Sequence, residues 1–306
     1  STAGNDCRYC CKYEKHRLAM TMSITIIGAS SGPGRMLYEA LLDDGVPVTG
    51  IARNPRNIPT NSTAQFVQLD ANDTAALARL VNKNTLLIHC SRPEILTTLI
   101  ARKPDMSRLI ALGSTRIYTR FPDDKCARLA AMSHAIWMSE IPATLLHPTM
   151  IYGAPGLNNI ERVVQMARVS PIIPLPDNGE SLIQPVLASD VVKAIRACID
   201  NHSSIGKTIA VPGKSPTTYR RFVELCIELS GEKCRVVSIP ITLLSLLAPL
   251  THLLPGVPVI AQDEVRRLLE NKDFSTEGLD NLSIEPVALD VGLKSLLFEE
   301  KSKSDI

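Results

Sequence analysis

A short apolar run, Ser23-Ile24-Thr25-Ile26-Ile27, breaks at Gly28-Ala29-Ser30-Ser31-Gly32-Pro33-Gly34 and gives way to a helical pattern over Arg35–Leu42. A strand, a turn with three glycines and a helix in direct succession restrict the fold severely. Gly28 permits a tight turn, Gly32 lets backbone N–H groups come close to a pyrophosphate, and Gly34 lets the helix pack against the preceding strand. The helix N-terminus then favours the anionic charge. Pro33 suits a first helical turn, where a missing N–H costs nothing. The flanking strand and helix separate this pattern from an ordinary glycine-rich turn. The segment predicts a dinucleotide site with its phosphates over Gly28, Gly32 and Gly34.

The rest of the chain extends that prediction. Strands are expected at Val46–Ala52, Gln65–Leu69, Leu86–Cys90, Arg108–Leu112 and Ala143–Leu146. Helices fall between them, one capped near Asn72 or Asp73, then Pro93–Arg102 and Lys125–Ser139. Such alternation implies an α/β fold, a doubly wound parallel sheet of the Rossmann type, with ligands at the carboxyl ends of the strands. Short strands without clear polar alternation suit a sheet covered on both faces. After Tyr152 glycine and proline cluster, and helices are expected at Ile160–Arg168, Asp190–Ile199 and Thr217–Ser230. The expected organisation is a leader over 1–22, a dinucleotide-binding core over 23–152, and a smaller C-terminal substrate lobe over 153–306 with elements returning to the core.

The end of the second strand selects the cofactor. An acid there would accept hydrogen bonds from a ribose 2′-OH, but this chain reads Ile51-Ala52-Arg53-Asn54-Pro55-Arg56. A guanidinium at Arg53 matches a 2′-phosphate, so the residues favour NADP over NAD.

Charge and cysteine usage narrow the class further. With 33 basic and 31 acidic residues the formal charge is only +2, which argues against a nucleic-acid partner, since that needs a concentrated basic face. Cys90, Cys126, Cys198, Cys226 and Cys234 are scattered through core-like segments, where free cysteine behaves as a small hydrophobe. With no disulfide framework and no secretory signal, a reducing cytoplasm is expected. The first 21 residues hold Cys7, Cys10, Cys11 and His16 without helical or strand periodicity. They read as a disordered leader or as translation upstream of Met20 or Met22, and the spacing lacks the second ligand pair of a closed zinc site. No metal is expected. Val236–Gln262 carries no Asp, Glu, Lys or Arg, but Pro240, Pro249, Pro255 and Pro258 interrupt it. It reads as buried helix or as the apolar flank of a pocket rather than an integral membrane span.

Several segments, in order, resemble the short-chain dehydrogenase/reductase superfamily over about Ser23 to Leu296. Much of the chain is similar to the extended branch of NAD-dependent epimerases and dehydratases, and the tail from Asp263 resembles that of its atypical members. Asp70, in Gln68-Leu69-Asp70, matches the acid at the adenine edge. Leu145-Leu146-His147-Pro148-Thr149-Met150-Ile151-Tyr152-Gly153 resembles the RPxxxYG segment, and Gln184-Pro185-Val186-Leu187-Ala188-Ser189-Asp190-Val191 the QPVHVxDVA segment. Gly113-Ser114-Thr115-Arg116-Ile117-Tyr118 resembles the SxxxY segment, which makes Ser114 the substrate-orienting hydroxyl. The resemblance assigns Ser30, Ser31, Cys90, Ser91, His147, Pro148 and Met150 to the cofactor, beside the glycine turn, Pro33, Arg53 and Asp70.

The chain departs from the family where chemistry would occur. None of its six tyrosines is followed by lysine four residues on, so the YxxxK pair is absent. The matching region offers Asp124, Lys125 and Arg128, and His147 stands where arginine is common. Two readings follow. One is an oxidoreductase or epimerase-like enzyme on a small alcohol, ketone or nucleotide sugar, a monomer or homodimer, with Tyr118 as relocated proton donor, Lys125 as second candidate and His134 a weaker third. The other is a dinucleotide-binding sensor or assembly protein without the chemistry.

Overall fold

The computed structural model describes residues 22–30, 32–54, 58–61, 64–240, 242 and 269–304. Ser31, Arg56, the Cys7, Cys10, Cys11 and His16 group, and most of the charge-free stretch 236–262 lie outside the described residues.

In chain order the first elements are β1 (Ser23–Ile27), α1 (Gly32–Asp43), β2 (Val48–Ala52), β3 (Ala64–Gln68), α2 (Thr74–Leu80), β4 (Thr85–His89), α3 (Pro93–Ile100), β5 (Arg108–Leu112), α4 (Asp124–Met138) and β6 (Ala143–Pro148). There follow β7 (Ile151–Tyr152), α5 (Asn159–Val169), β8 (Ile172–Pro176), β9 (Leu182–Ile183), β10 (Val186–Leu187), α6 (Ala188–Asp200), β11 (Lys207–Val211), β12 (Thr217–Thr218), α7 (Tyr219–Ser230), β13 (Arg235–Ile239), α8 (Glu277–Asp280) and α9 (Leu289–Ser304). Two details differ from the sequence reading. Thr217 and Thr218 form a strand, and the helix starts only at Tyr219, where the Thr218 hydroxyl caps it by accepting the Arg221 N–H at 3.1 Å. The sixth strand also runs on to include His147 and Pro148.

The chain divides into two compact units, each assembled from three segments. The first holds the described residues up to Gly113, with Ala130–Leu146 and Ile195–Thr208. The second holds Ser114–Leu129, His147–Ala194 and the described residues from Ile209 on.

The main sheet has seven strands in the order β11-β6-β5-β4-β1-β2-β3. The pairs β1–β2, β2–β3, β1–β4, β4–β5 and β5–β6 are all parallel. Every residue of β4 is buried, whereas edge strand β3 exposes Gln65 and Gln68. That contrast reflects strands buried on both faces in the middle and a solvated edge. Because β1 lies between β2 and β4, the strand order reverses at its carboxyl end. That reversal opens a crevice where ligands of such sheets bind.

Arg108, the first residue of β5, is 2% exposed. Its guanidinium donates to the Ile199 carbonyl at 2.9 Å, the Asn201 carbonyl at 3.1 Å and the Ser204 hydroxyl at 2.9 Å. These bonds occupy carbonyls at the end of α6 that the helix cannot satisfy itself.

The second unit has its own core. In α5, Ile160, Val163, Val164 and Ala167 are buried at helical spacing, as are Phe222, Val223, Cys226 and Ile227 in α7. These two faces join Tyr152 and Leu293 in one apolar cluster. Gly231 closes α7 with φ 79°, and its N–H bonds the Ile227 carbonyl, a left-handed cap that suits glycine. Asp190 is fully buried. Its carboxylate accepts from Lys193 Nζ at 2.7 Å and from the Val287 N–H at 2.8 Å.

Replacing Arg108 by Met would keep most of the side-chain volume and remove the guanidinium's donors from the Ile199 and Asn201 carbonyls and the Ser204 hydroxyl. A loss of about 3 kcal/mol is expected. Urea unfolding followed by circular dichroism measures it, and a loss below about 1 kcal/mol would show that water replaces the guanidinium.

Candidate functional site

The glycine turn forms as the strand order requires. The Gly28 and Ala29 N–H groups bond the Ile51 carbonyl at 3.1 and 3.3 Å, so the turn is anchored to β2. Gly32 begins α1 with φ +57°, and a Cβ built on it would meet no atom within 4 Å. Gly34 is the opposite case, because its Cβ would stand 2.4 Å from the Gly28 carbonyl oxygen and 2.9 Å from Cys90 Cβ. Gly34 is therefore needed for protein packing, whereas the space a Gly32 side chain would take is not filled by protein. Gly32, Pro33 and Gly34 are all buried in the first turn of α1.

Beside this turn the first unit has a cleft of about 380 Å³. It is lined by Gly28, Ser30, Arg53, Asp70, Cys90 and Ser91, among others. These are six of the residues that the sequence assigns to the cofactor. Arg53 is exposed just beyond β2. The Asp70 carboxyl lies below the usual carboxylate range, chiefly because it accepts the Asn72 N–H at 3.0 Å. Desolvation opposes that shift, while the Asn72 side chain, Arg53 and Arg92 add to it. Asp70 is thus a fixed anion able to accept hydrogen bonds. Burial pushes the Cys90 thiol up to about 12, so Cys90 contributes shape rather than a thiolate nucleophile. Burial likewise pulls neighbouring His89 down to about 4, with a backbone contact from Arg92 acting the other way.

The second unit contains a separate cavity of about 290 Å³. Ser114, Tyr118 and Met150 line it, with Gln184, Glu270 and Phe274 also in its wall. Ser114 precedes a short 3-10 turn, Thr115–Tyr118, and its hydroxyl oxygen accepts the Arg116 N–H at 3.2 Å. The hydroxyl proton remains available to a ligand. The Ser114 N–H donates to His147 Nδ1 at 2.9 Å. Burial pulls His147 down to about 4, and the Ser114 backbone bond opposes this. A neutral ring that accepts at Nδ1 carries its proton on Nε2. Tyr118 is 55% exposed and stacks edge-on against His147, with ring centroids 5.6 Å apart. Its other neighbour is Phe274, at 6.0 Å.

The remaining sequence candidates fall elsewhere. Pro148 ends β6, and its carbonyl accepts from the Thr115 hydroxyl at 3.3 Å. His147, Pro148 and Met150, which the resemblance gives to the cofactor, belong to the second unit, and Met150 shares a wall with Ser114. Lys125 is exposed on α4 and is not among the residues lining the cavity. Among the described residues no three His, Cys, Asp or Glu side chains could hold a metal ion. No described helix is long and apolar enough to cross a membrane.

Gln184, Thr149 and Glu270 are among the cavity-wall residues that the sequence reading missed. Gln184 is 2% exposed; its Nε2 donates to the Gly213 carbonyl at 2.8 Å and its Oε1 accepts the Phe274 N–H at 2.8 Å. Thr149 donates its hydroxyl to the Gln184 carbonyl. Gln184 opens the QPV segment and could have been suspected there. Glu270 is 5% exposed and has no motif around it to mark it.

No family model matches the chain, and no curated protein does. Solved structures do. A UDP-glucuronic acid 4-epimerase from Bacillus cereus, in complex with UDP-glucuronic acid and NAD, superposes with TM-score 0.67 at 14% identity, covering 91% of this chain and 99% of its own. A dTDP-glucose 4,6-dehydratase from Bacillus anthracis, in complex with NAD, gives 0.69 at 13% identity, covering 93% and 98%. A UDP-glucose 4-epimerase from Thermotoga maritima, with UDP-glucose, gives 0.66 at 16% identity, covering 93% and 100%. The chain therefore has the fold of nucleotide-sugar epimerases and dehydratases, in agreement with the resemblance read from its motifs.

The two glycines should respond differently to substitution. Gly34→Ala forces α1 away from β1 and β4 and should cost about 1–3 kcal/mol of stability. Gly32→Val carries a left-handed strain of about 1–2 kcal/mol and, on the expectation that this turn holds a dinucleotide's phosphates, should leave a folded protein without dinucleotide affinity. Thermal melts with and without cofactor measure both. Wild-type cofactor affinity in Gly32→Val would show that the phosphates bind elsewhere.

Proposed function

We propose that the protein is a dinucleotide-dependent enzyme of the epimerase–dehydratase type that acts on a nucleotide sugar. The carrying observation is the β1–α1 turn, where Gly32, whose side-chain space no protein fills, begins a helix beside a cleft lined by Arg53 and Asp70. That arrangement suits a pyrophosphate at the helix N-terminus and an adenosine against Asp70. The solved neighbours support the same reading, since two were determined with NAD and two with a UDP-sugar.

Bound nicotinamide supplies the hydride acceptor, and the chain's own residues orient the substrate and move the proton. Neutral His147 accepts the Ser114 N–H and fixes the serine at the cavity wall. The Ser114 hydroxyl then donates to a substrate oxygen. Tyr118 lines the same cavity and is the proposed proton carrier in place of the absent YxxxK tyrosine. Lys125 is kept as the second proposed proton-transfer group.

On the cofactor, residues and neighbours point in different directions. Arg53 supports a 2′-phosphate contact and hence NADP, while the solved neighbours carry NAD. We take NADP as the proposal and NAD as its competitor. A charge-assisted contact of about 1.5–3 kcal/mol should make NADPH bind more tightly than NADH, and Arg53→Ala should abolish the difference. Fluorescence titration measures this, and NADH binding as tightly as NADPH would leave NAD as the cofactor.

Tyr118→Phe should reduce turnover by about 10²–10⁴-fold and leave dinucleotide affinity unchanged. The measurement is conversion across a panel of nucleotide sugars and ketones. Undiminished turnover would remove Tyr118 from the mechanism. Tight dinucleotide binding without turnover on any of them would favour the second reading, a dinucleotide-binding protein without the chemistry, to which the missing Tyr–Lys pair points.

A further inference from the structure

Among the described residues, Glu270 is the one acidic side chain that lines the second unit's cavity. It is not a loosely held surface acid. Its side chain is 6% exposed, and the carboxylate accepts from the Thr119 hydroxyl at 2.7 Å and from the Arg120 N–H at 2.5 Å. The segment that follows is tied down along its length. Asn271 Oδ1 accepts the Leu182 N–H at 2.9 Å, the Lys272 N–H bonds the Leu182 carbonyl at 2.8 Å, and the Phe274 N–H bonds Gln184 Oε1 at 2.8 Å. Both the carboxylate and the strip of chain carrying it are therefore fixed before any ligand arrives.

A carboxylate has about four acceptor positions and, when ionised, no donor. Thr119 and Arg120 use two of them. The others can take hydroxyl or amine donors and would repel a second carboxylate. Three cations among the described residues could reverse that preference. Arg116 lines the cavity, but its guanidinium pairs with Asp123. Arg120 lies 3.9 Å from Glu270, but its side chain is 77% exposed and so well screened by water. Lys272 also lines the cavity and is only half-buried. A buried charge acts through a lower effective dielectric than exposed ones, so the field of Glu270 dominates.

We propose that Glu270 makes this cavity selective for an uncharged, polyhydroxylated sugar and excludes a sugar that carries a carboxylate. The inference rests on the nucleotide-sugar reading above. At about 290 Å³ the cavity has room for a group of that size. Its aromatic lining of Tyr118, Tyr219 and Phe274 offers apolar faces for a sugar ring. Glu270 is thus a specificity-determining residue, with Thr119 as the side chain that positions it.

Two ligands that differ only at C6 test this in the full chain. UDP-glucose carries a hydroxymethyl group there, and UDP-glucuronic acid a carboxylate. Calorimetric titration should show UDP-glucose binding at least about tenfold more tightly. Glu270→Gln, checked for folding by its thermal melt, should bring the two affinities within about twofold. The neutral amide of UDP-glucuronic acid separates charge from shape without altering the protein, and should bind the wild type about as well as UDP-glucose. Equal wild-type affinities, an amide rejected as strongly as the acid, or a folded Glu270→Gln protein that keeps the discrimination would each overturn the role of Glu270 while leaving the nucleotide-sugar reading intact. Failure of UDP-glucose to bind at all would instead remove that reading and this inference with it.

Discussion

Helix α1 can lie against β1 and β4 because residue 34 has no side chain. A Cβ there would stand 2.4 Å from the Gly28 carbonyl oxygen and 2.9 Å from Cys90 Cβ, closer than real Cβ atoms come. The approach fixes the start of the helix over the carboxyl ends of the two central strands. Those strands are in turn locked in parallel register, with Ile27 opposite both Ile51 and His89. The cleft follows from this arrangement, because Gly28, Arg53 and Cys90 come directly after β1, β2 and β4, and Asp70 comes two residues after β3. Four short strands thus deliver four distant stretches of sequence to one edge of the first unit.

The second unit builds its cavity by a different device. A close approach occurs here too, since a Cβ on Gly213 would stand 1.9 Å from the Pro185 carbonyl oxygen, but a hydrogen-bond network accompanies it. A buried amide at Gln184 bonds Gly213 and Phe274, and the Thr149 hydroxyl bonds the carbonyl of the same residue. Hydrogen bonds in a buried network are costly to leave half-made, so these partners hold one another in place. The carboxylate of Glu270, the hydroxyl of Ser114 and the ring of Tyr118 stand in the wall this network supports. No tyrosine of the sequence is followed by lysine four residues on, and Lys125 is exposed on α4. Of the two proposed proton carriers, Tyr118 lines this cavity and Lys125 is not among the residues that line it.

Much of the first unit was legible before any coordinates. The apolar run Ser23–Ile27, the glycines after it and the alternation to Ala143 carry local signals, namely strand length, turn chemistry and helical period. Those signals place β1 and the strands of the parallel sheet within a residue or two, and the start of α1 within three. Arg53 could be assigned to the cleft because it immediately follows a strand whose end was readable, and Asp70 because the segment around it resembles the adenine-edge segment of the extended short-chain dehydrogenases. Element boundaries slipped where local preference was ambiguous. Thr217 and Thr218 read as the start of a helix, since threonine suits an N-cap, but β-branched residues also suit the short strand they form opposite Leu182 and Ile183.

The sequence by itself therefore determined the strand–turn–helix unit, the sheet class and the side chains at the strand ends, because each depends on neighbours within about ten residues. Tertiary structure alone decided the second cavity. Glu270 meets Thr119 across 151 positions of chain, and Phe274 meets Gln184 across 90. No periodicity or motif spans such separations, and a glutamate in a loop reads as solvated charge until folding buries it. The same reason hides the grouping of Met150 with Ser114 and the anchoring of α6 by Arg108. Contacts of that range exist only once backbone hydrogen bonding and core packing have brought the segments together.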